Sequence, residues 1–430
     1  VKQYLPHVRR GLASIAGNVG NLLFTLGRNK LLAIYLGPIG VGWIGLANNL
    51  VELGAVVSGA GVSDGLLREL ARHRQSHSRR DIISTGFGML LISLLVVVPA
   101  GTWAFLVLAK PGGMVLLNVA GFAFALVAAG FWRFVGGIYI GLGWSRVMFR
   151  TLVLAGFLNM VLSGAMLWLG WHNYLGYVVL TYGLIVVIGS IGLLREVRWY
   201  FSPGAIVRMP AWRPFLVIMV PILIALPLDT GILLFVRSVA SAHLGEIGLG
   251  LIQPGLVFVI LISSLFNAFA GMTTSRWDQS AEPAFSRQAV ALLAAAVALP
   301  LAGAAFLTAT APMWGFVIHL FFSRAFEPGA AAVPWFLMGE ALHMGSLLLF
   351  STFLSRGLGI YTVVPRVACM TALVVMLRAG VAVSILSIGQ AYCFGFVIYF
   401  AVTLVAWIGV QVVFLRRDRL ATAPGPLRDG

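Results

Sequence analysis

Eight ionisable side chains stand out within long apolar stretches of this chain: Arg28, Lys30, Glu52, Arg133, Asp229, Arg237, Glu340 and Arg378. A charge placed there is expensive unless it faces a polar cavity, a partner or an interface. The chemistry open to the set is binding. Arginine suits phosphate because its planar donor fork meets two oxygens at once. Arg28, Arg133 and Arg237 therefore read as candidate ligands for an anionic substrate, and Glu52 and Asp229 as charge-balancing or ion-coupling groups. These five form the candidate cavity set. A short acid cannot reach far, so Glu52 and Asp229 demand a polar surround. Lys30 and Arg378 can instead extend toward headgroups, and so can Arg28, Arg133 and Arg237 from the ends of their stretches. A purely structural ion pair is the other role open to each acid.

Covalent chemistry has no such support. The sequence contains no Walker loop, no GxSxG elbow and no HExxH helix. Its two cysteines, Cys369 and Cys393, both lie in apolar stretches and have no metal-ligand spacing. His73 and His77 stand four apart, with no acid or cysteine to complete a metal site. The expectation is a protein that is not an enzyme and has no cofactor. Any uphill movement must draw on an ion gradient, such as one of protons or sodium, on a substrate gradient or on a separate partner.

Twelve apolar stretches position these charges: 12–35, 43–63, 82–109, 114–138, 148–169, 174–194, 214–237, 247–270, 286–309, 331–353, 359–379 and 387–414. A membrane-spanning helix needs about 20 apolar residues, so each is long enough to cross. The shorter run at 311–323 reads as an extension of the ninth or as a surface helix. Hydrophobic residues make up 60% of the chain and charged residues 10%, against about 25% charged in soluble proteins. The fold class is an all-α polytopic membrane protein.

The formal charge of +16 marks one membrane face rather than a nucleic-acid surface, because no gap is long enough to fold a basic module. Of 29 Lys and Arg, 22 lie in the termini and the gaps 64–81, 139–150, 195–213, 271–287 and 354–366, whereas the opposite loops hold only Lys110 and Arg324. By the positive-inside rule both termini are cytoplasmic. The first stretch reads as a retained anchor. The basic 64–81 gap suits contact with anionic lipid as well as a topogenic role.

An internal echo divides the chain. Leu36-Gly37-Pro38-Ile39-Gly40-Val41-Gly42-Trp43-Ile44 is matched by Leu244-Gly245-Glu246-Ile247-Gly248-Leu249-Gly250-Leu251-Ile252, 208 residues later. Six stretches separate the copies, so the halves share one membrane orientation. The glycines predict a tight turn with close helix approach. The expected organisation is a six-helix lobe over 1–194, a cytoplasmic connector over 195–213 and a second six-helix lobe with a short tail over 214–430. Two such bundles around a cleft suit alternating access. Pro221 and Pro227 predict a loosened turn in the seventh stretch, just before Asp229.

The stretch Asn29-Lys30-Leu31-Leu32-Ala33-Ile34-Tyr35-Leu36-Gly37-Pro38-Ile39-Gly40-Val41-Gly42 resembles the first outer turn of bacterial polysaccharide-biosynthesis flippases. Leu46-Ala47-Asn48-Asn49-Leu50 and Ala60-Gly61-Val62-Ser63-Asp64-Gly65 continue the likeness. The resemblance is to the O-antigen or repeat-unit translocase branch of the multidrug/oligosaccharidyl-lipid/polysaccharide exporter superfamily. It implies a V-shaped pair of lobes that moves an undecaprenyl-pyrophosphate-linked oligosaccharide from the cytoplasmic to the outer leaflet. The pyrophosphate would be drawn to Arg28 first, then to Arg133 and Arg237, while Asp229 would serve coupling or cavity electrostatics. Membrane lipids and polysaccharide-assembly proteins are the implied partners. A cation-coupled multidrug exporter is the alternative, and it would favour an apolar, acidic pocket. A lipid-II-type flippase and a membrane scaffold complete the alternatives.

Overall fold

The computed structural model describes residues 5–72, 76–109, 115–197, 213–274, 285–355, 358–378 and 383–422. Every long element is a helix. The first half holds α1 (Leu5–Ala55), a π turn (Val56–Ala60), α2 (Gly61–Arg72), α3 (Ser76–Ala109), α4 (Val115–Gly141), α5 (Ser145–Trp168) and α6 (Tyr174–Val197). The second holds α7 (Arg213–Leu251), α8 (Gln253–Thr274), α9 (Arg287–Thr310), α10 (Trp314–Phe321), α11 (Val333–Ser355), α12 (Val363–Arg378) and α13 (Ile385–Thr422).

Helix α1 is two spans in one. Its backbone leaves helical geometry at Gly37, with φ 63° and ψ −168°. The same break recurs in α7 at Gly245, with φ 69° and ψ −167°. Positive φ costs an L-residue about 1–2 kcal/mol and glycine almost nothing. The two copies of the sequence echo thus make one backbone turn twice. The rod from Pro38 through the π turn and α2 is the second span, and the rod from Glu246 through α8 is the eighth. With α3–α6 and α9, α11, α12 and α13, this gives twelve spans in two lobes. Helix α10 has eight residues and is not a crossing. The predicted loosening at Pro221 and Pro227 does not take α7 out of helical geometry, because its one non-helical residue is Gly245. Residues 198–212 of the expected connector lie outside the described residues.

These helices expose apolar residues outward. Leu95, Val96, Leu116, Trp168, Leu169 and Val405 are all at least 69% exposed. In water such a surface would drive aggregation, whereas in a bilayer it is solvated by lipid. Within the first lobe α1 packs on α4 and α5, and α4 packs on α2, α3 and α6; within the second, α11 is surrounded by α8, α9 and α13. The lobes meet along α1 and α2 of the first and α7 and α8 of the second. At the turn end, opposite the termini, contact is tight. A Cβ on Gly250 would fall 2.0 Å from the Pro38 carbonyl oxygen, and one on Gly42 would fall 2.8 Å from the Gly250 nitrogen. The two glycine turns therefore close this end of the molecule against each other.

Candidate functional site

The five candidate residues occupy three places. The first is inside the N-terminal lobe. Arg28 on α1 donates from Nη1 to Thr181 Oγ1 on α6 at 2.7 Å and from Nη2 to Asn29 Oδ1 at 3.3 Å. Thr181 also accepts from Asn159 Nδ2 on α5 at 3.1 Å, and Ser163 donates to Asn159 at 3.4 Å. Arg28 is 7% exposed, and its Nε has no hydrogen-bond partner. Its socket is built from neutral groups.

One residue further along α6, Tyr182 donates to Glu52 Oε1 at 3.0 Å. The other oxygen of Glu52 accepts from Arg133 Nη2 on α4 at 2.9 Å. The Arg133 and Glu52 side chains keep 32% and 45% of their surface exposed. An ion pair left this open, next to the Arg28 socket, gives the first lobe a polar face that a ligand can reach. The π turn lies just beyond Glu52; such local widening of a helix often accompanies functional sites.

The second place is inside the C-terminal lobe. Asp229 on α7 is held by Arg366 on α12: Nε lies 2.9 Å from each carboxylate oxygen, and Nη2 lies 2.8 Å from Oδ2. Arg366 also donates to the Thr362 carbonyl at 2.5 Å and sits 4.9 Å from the Phe350 ring centroid. Glu340 on α11 is 2% exposed. It accepts from Ser263 on α8 and from Tyr392 on α13 at 3.5 Å, and it contacts His343 Nδ1 at 3.2 Å. His343 Nε2 and the Tyr399 hydroxyl are buried without partners, and their rings meet edge to face at 5.4 Å.

The third place is the lobe boundary. Arg237 on α7 donates from Nη1 to Asn49 Oδ1 on α1 and from Nη2 to Gln253 Oε1 on α8 at 3.2 Å. Asn49 donates back across the boundary to the Thr230 carbonyl at 3.4 Å, and Gln253 donates to the Gly42 carbonyl at 3.5 Å. Arg237 is 2% exposed.

Glu52, Arg133 and Arg28 are thus brought together, whereas Asp229 and Arg237 are kept apart from them and from each other. Lys30, which shares their apolar surroundings in the sequence, lies elsewhere. It points from α1 to the His319 carbonyl on α10 at 2.6 Å, on an exposed surface. Arg366 was missed because the basic gap 354–366 overlaps the apolar stretch 359–379; it belongs to the helix, at 4% exposure. The signal for it was an arginine already inside an apolar run. Thr181, Tyr182, Ser263 and His343 carried no signal, since their roles arise only from the neighbours that folding supplies. Among the described residues, no three His, Cys, Asp or Glu side chains group as metal ligands.

No protein-family description and no curated protein sequence matches the chain. Solved structures do match. The inward-facing conformation of a multidrug resistance MATE family transporter of the MOP superfamily superposes with a TM-score of 0.72 at 16% identity, covering 96% of this chain and 100% of that one. An outward-facing conformation of such a transporter gives 0.65 at 17% identity, covering 95% and 96%. A MOP superfamily transporter from Pyrococcus furiosus, described as having a binding pocket of reverse polarity that suggests a different function, gives 0.60 at 16% identity, covering 95% of each chain. At these identities the likeness is one of fold: this chain has the architecture of the MATE and MOP transporters.

Proposed function

We propose that this protein is an alternating-access transporter that flips an undecaprenyl-pyrophosphate-linked oligosaccharide from the cytoplasmic to the outer leaflet. The observation that carries the reading is Arg28: a buried guanidinium in a neutral socket, with no carboxylate partner among the described residues, beside the partly exposed Arg133–Glu52 pair. Arg28 and Arg237 are both buried with no carboxylate partner among the described residues, whereas Glu52 and Asp229 are already engaged by Arg133 and Arg366. Two buried cations without counter-ions favour a diphosphate over an organic cation. The sugar chain would occupy the wet space between the lobes, and the polyprenyl tail would stay in lipid. With the basic ends cytoplasmic, the closed turn end faces outward and the state is inward-facing. No bond is made or broken; the work is the exchange of two conformations within a few kcal/mol of each other.

The second reading is a cation-coupled multidrug exporter. Its support is the fold likeness to multidrug transporters and the acidic groups of both lobes. In that reading Glu52 would bind substrate, and the Asp229–Arg366 and Glu340–His343 pairs would serve a proton or sodium gradient.

Transbilayer movement of a fluorescent undecaprenyl-pyrophosphate oligosaccharide in proteoliposomes tests the first reading. Wild type moves it, and Arg28→Ala slows it at least about tenfold, the worth of one charge-assisted contact. Protein-dependent efflux of an organic cation, with no movement of the lipid, would replace the first reading with the second.

A further inference from the structure

Arg237 carries a role that its placement at the lobe boundary makes visible. It belongs to the second lobe, yet one of its two partners, Asn49, belongs to the first. Around it, Asn49, Gln253 and Arg237 are at most 5% exposed, and each makes at least one bond to another element. All of its acceptors are neutral amides, its Nε has no partner, and no carboxylate pairs with it among the described residues. A buried charge without a counter-ion is an unfavourable way to hold two bundles together, since neutral side chains could pack there at lower cost. The arrangement makes sense if the charge is used in the other conformation. On α7, Arg237 lies eight residues before Gly245, about 12 Å of rise from the closed turn. Gln253, which bonds both Arg237 and the Gly42 carbonyl, ties it to the closed contact of Gly42 with Gly250.

We propose that Arg237 is an interlobe latch that an anionic diphosphate headgroup releases: the guanidinium holds Asn49 and Gln253 while the turn end is closed, and passes to the diphosphate as that end opens. The anion half of this rests on the reading of the substrate given above; the latch half does not. A diphosphate oxygen competes well because charge-assisted hydrogen bonds are roughly twice as strong as bonds to neutral acceptors. Once the anion is bound, Asn49 loses its cross-boundary donor, and the end is left to the glycine contacts and the longer Asn49–Thr230 and Gln253–Gly42 bonds. Release of the headgroup on the far side lets Arg237 return to Asn49, which resets the latch.

The test uses two spin labels at the turn end, on Tyr35→Cys in the first lobe and Ile247→Cys in the second. Both sites are more than half exposed, and Cys369 and Cys393, both buried, are replaced by alanine. Pulsed electron-electron distances are recorded on the full chain in nanodiscs, with and without millimolar inorganic pyrophosphate. The wild-type background shows mainly the short distance. Arg237→Met raises the ratio of long to short distances at least about tenfold without ligand, the loss expected for a hydrogen bond to a charged group. Asn49→Ala, which cuts the same contact from the other lobe, does likewise, and the double variant adds little to either. Pyrophosphate moves the wild type toward the long distance and leaves Arg237→Met where it was.

Unchanged distances in both single variants, each with a normal elution profile, would overturn the latch. Opening in the variants with no response of the wild type to pyrophosphate would overturn the handover to anion. Because the ligand-free comparison involves no substrate, its outcome stands apart from the flipping assay, whose failure would instead count against the substrate reading.

Discussion

Breaking the Asp229–Arg366 pair from its two sides should have unequal costs. Arg366 is 4% exposed and fixed by four close contacts, while the Asp229 side chain keeps 18% of its surface. Asp229→Leu leaves a buried guanidinium that cannot discharge and has only the Thr362 carbonyl and the Phe350 face for company. Removing one partner of a buried pair costs about 3–5 kcal/mol. Arg366→Met leaves a carboxylate that can take up a proton or reach water, at a cost of about 1–3 kcal/mol. The double variant, Asp229→Leu with Arg366→Met, removes both charges and should recover most of the larger loss. An unfolding entropy of about 2.1 cal/mol/K per residue makes each kcal/mol worth roughly 1 °C over 430 residues. Asp229→Leu should therefore lower Tm by about 3–5 °C, Arg366→Met by about 1–3 °C, and the double variant by less than Asp229→Leu alone. Scanning fluorimetry of the detergent-solubilised protein reads this directly. A double variant as unstable as the sum of the singles, or singles indistinguishable from wild type, would refute the pairing.

Two further outcomes follow from the geometry. Gly250→Ala places a methyl where the Pro38 carbonyl stands, so the closed turn end loses about 1–3 kcal/mol; a cysteine at the buried Val41 should then react faster with a small maleimide than in an unsubstituted background. Gly37→Ala and Gly245→Ala each force alanine to positive φ, so each should cost about 1–2 kcal/mol of stability, in nearly equal amounts if the two turns are equivalent.

Much of the fold was legible because a bilayer leaves few solutions. Uninterrupted apolar runs must be helices, since lipid satisfies no backbone donor, and the repeated glycine turn announced the two lobes. What the runs did not show is how the expected glycine turn is made: in each half one glycine at positive φ joins two spans into a single broken helix, while the backbone at Pro221 and Pro227 stays helical. The site was legible in type and not in arrangement. Charges in spans flagged Arg28, Glu52, Arg133, Asp229 and Arg237, yet spacing along one helix says nothing about which neighbour another helix brings. Arg133 finds Glu52 from 81 residues away, and Arg366 finds Asp229 from 137. Thr181 and Gln253 became essential parts of sockets only through such meetings.

The most direct test of the central claim is the rate of transbilayer movement of an undecaprenyl-pyrophosphate oligosaccharide by purified protein in liposomes. Wild type is compared with Arg28→Ala and Arg28→Lys at matched insertion. The account predicts protein-dependent flipping that Arg28→Ala reduces at least about tenfold and Arg28→Lys partly restores, because the socket needs a positive charge as well as a donor fork. Wild-type liposomes that move no lipid under imposed proton and sodium gradients, yet expel an organic cation, would contradict it.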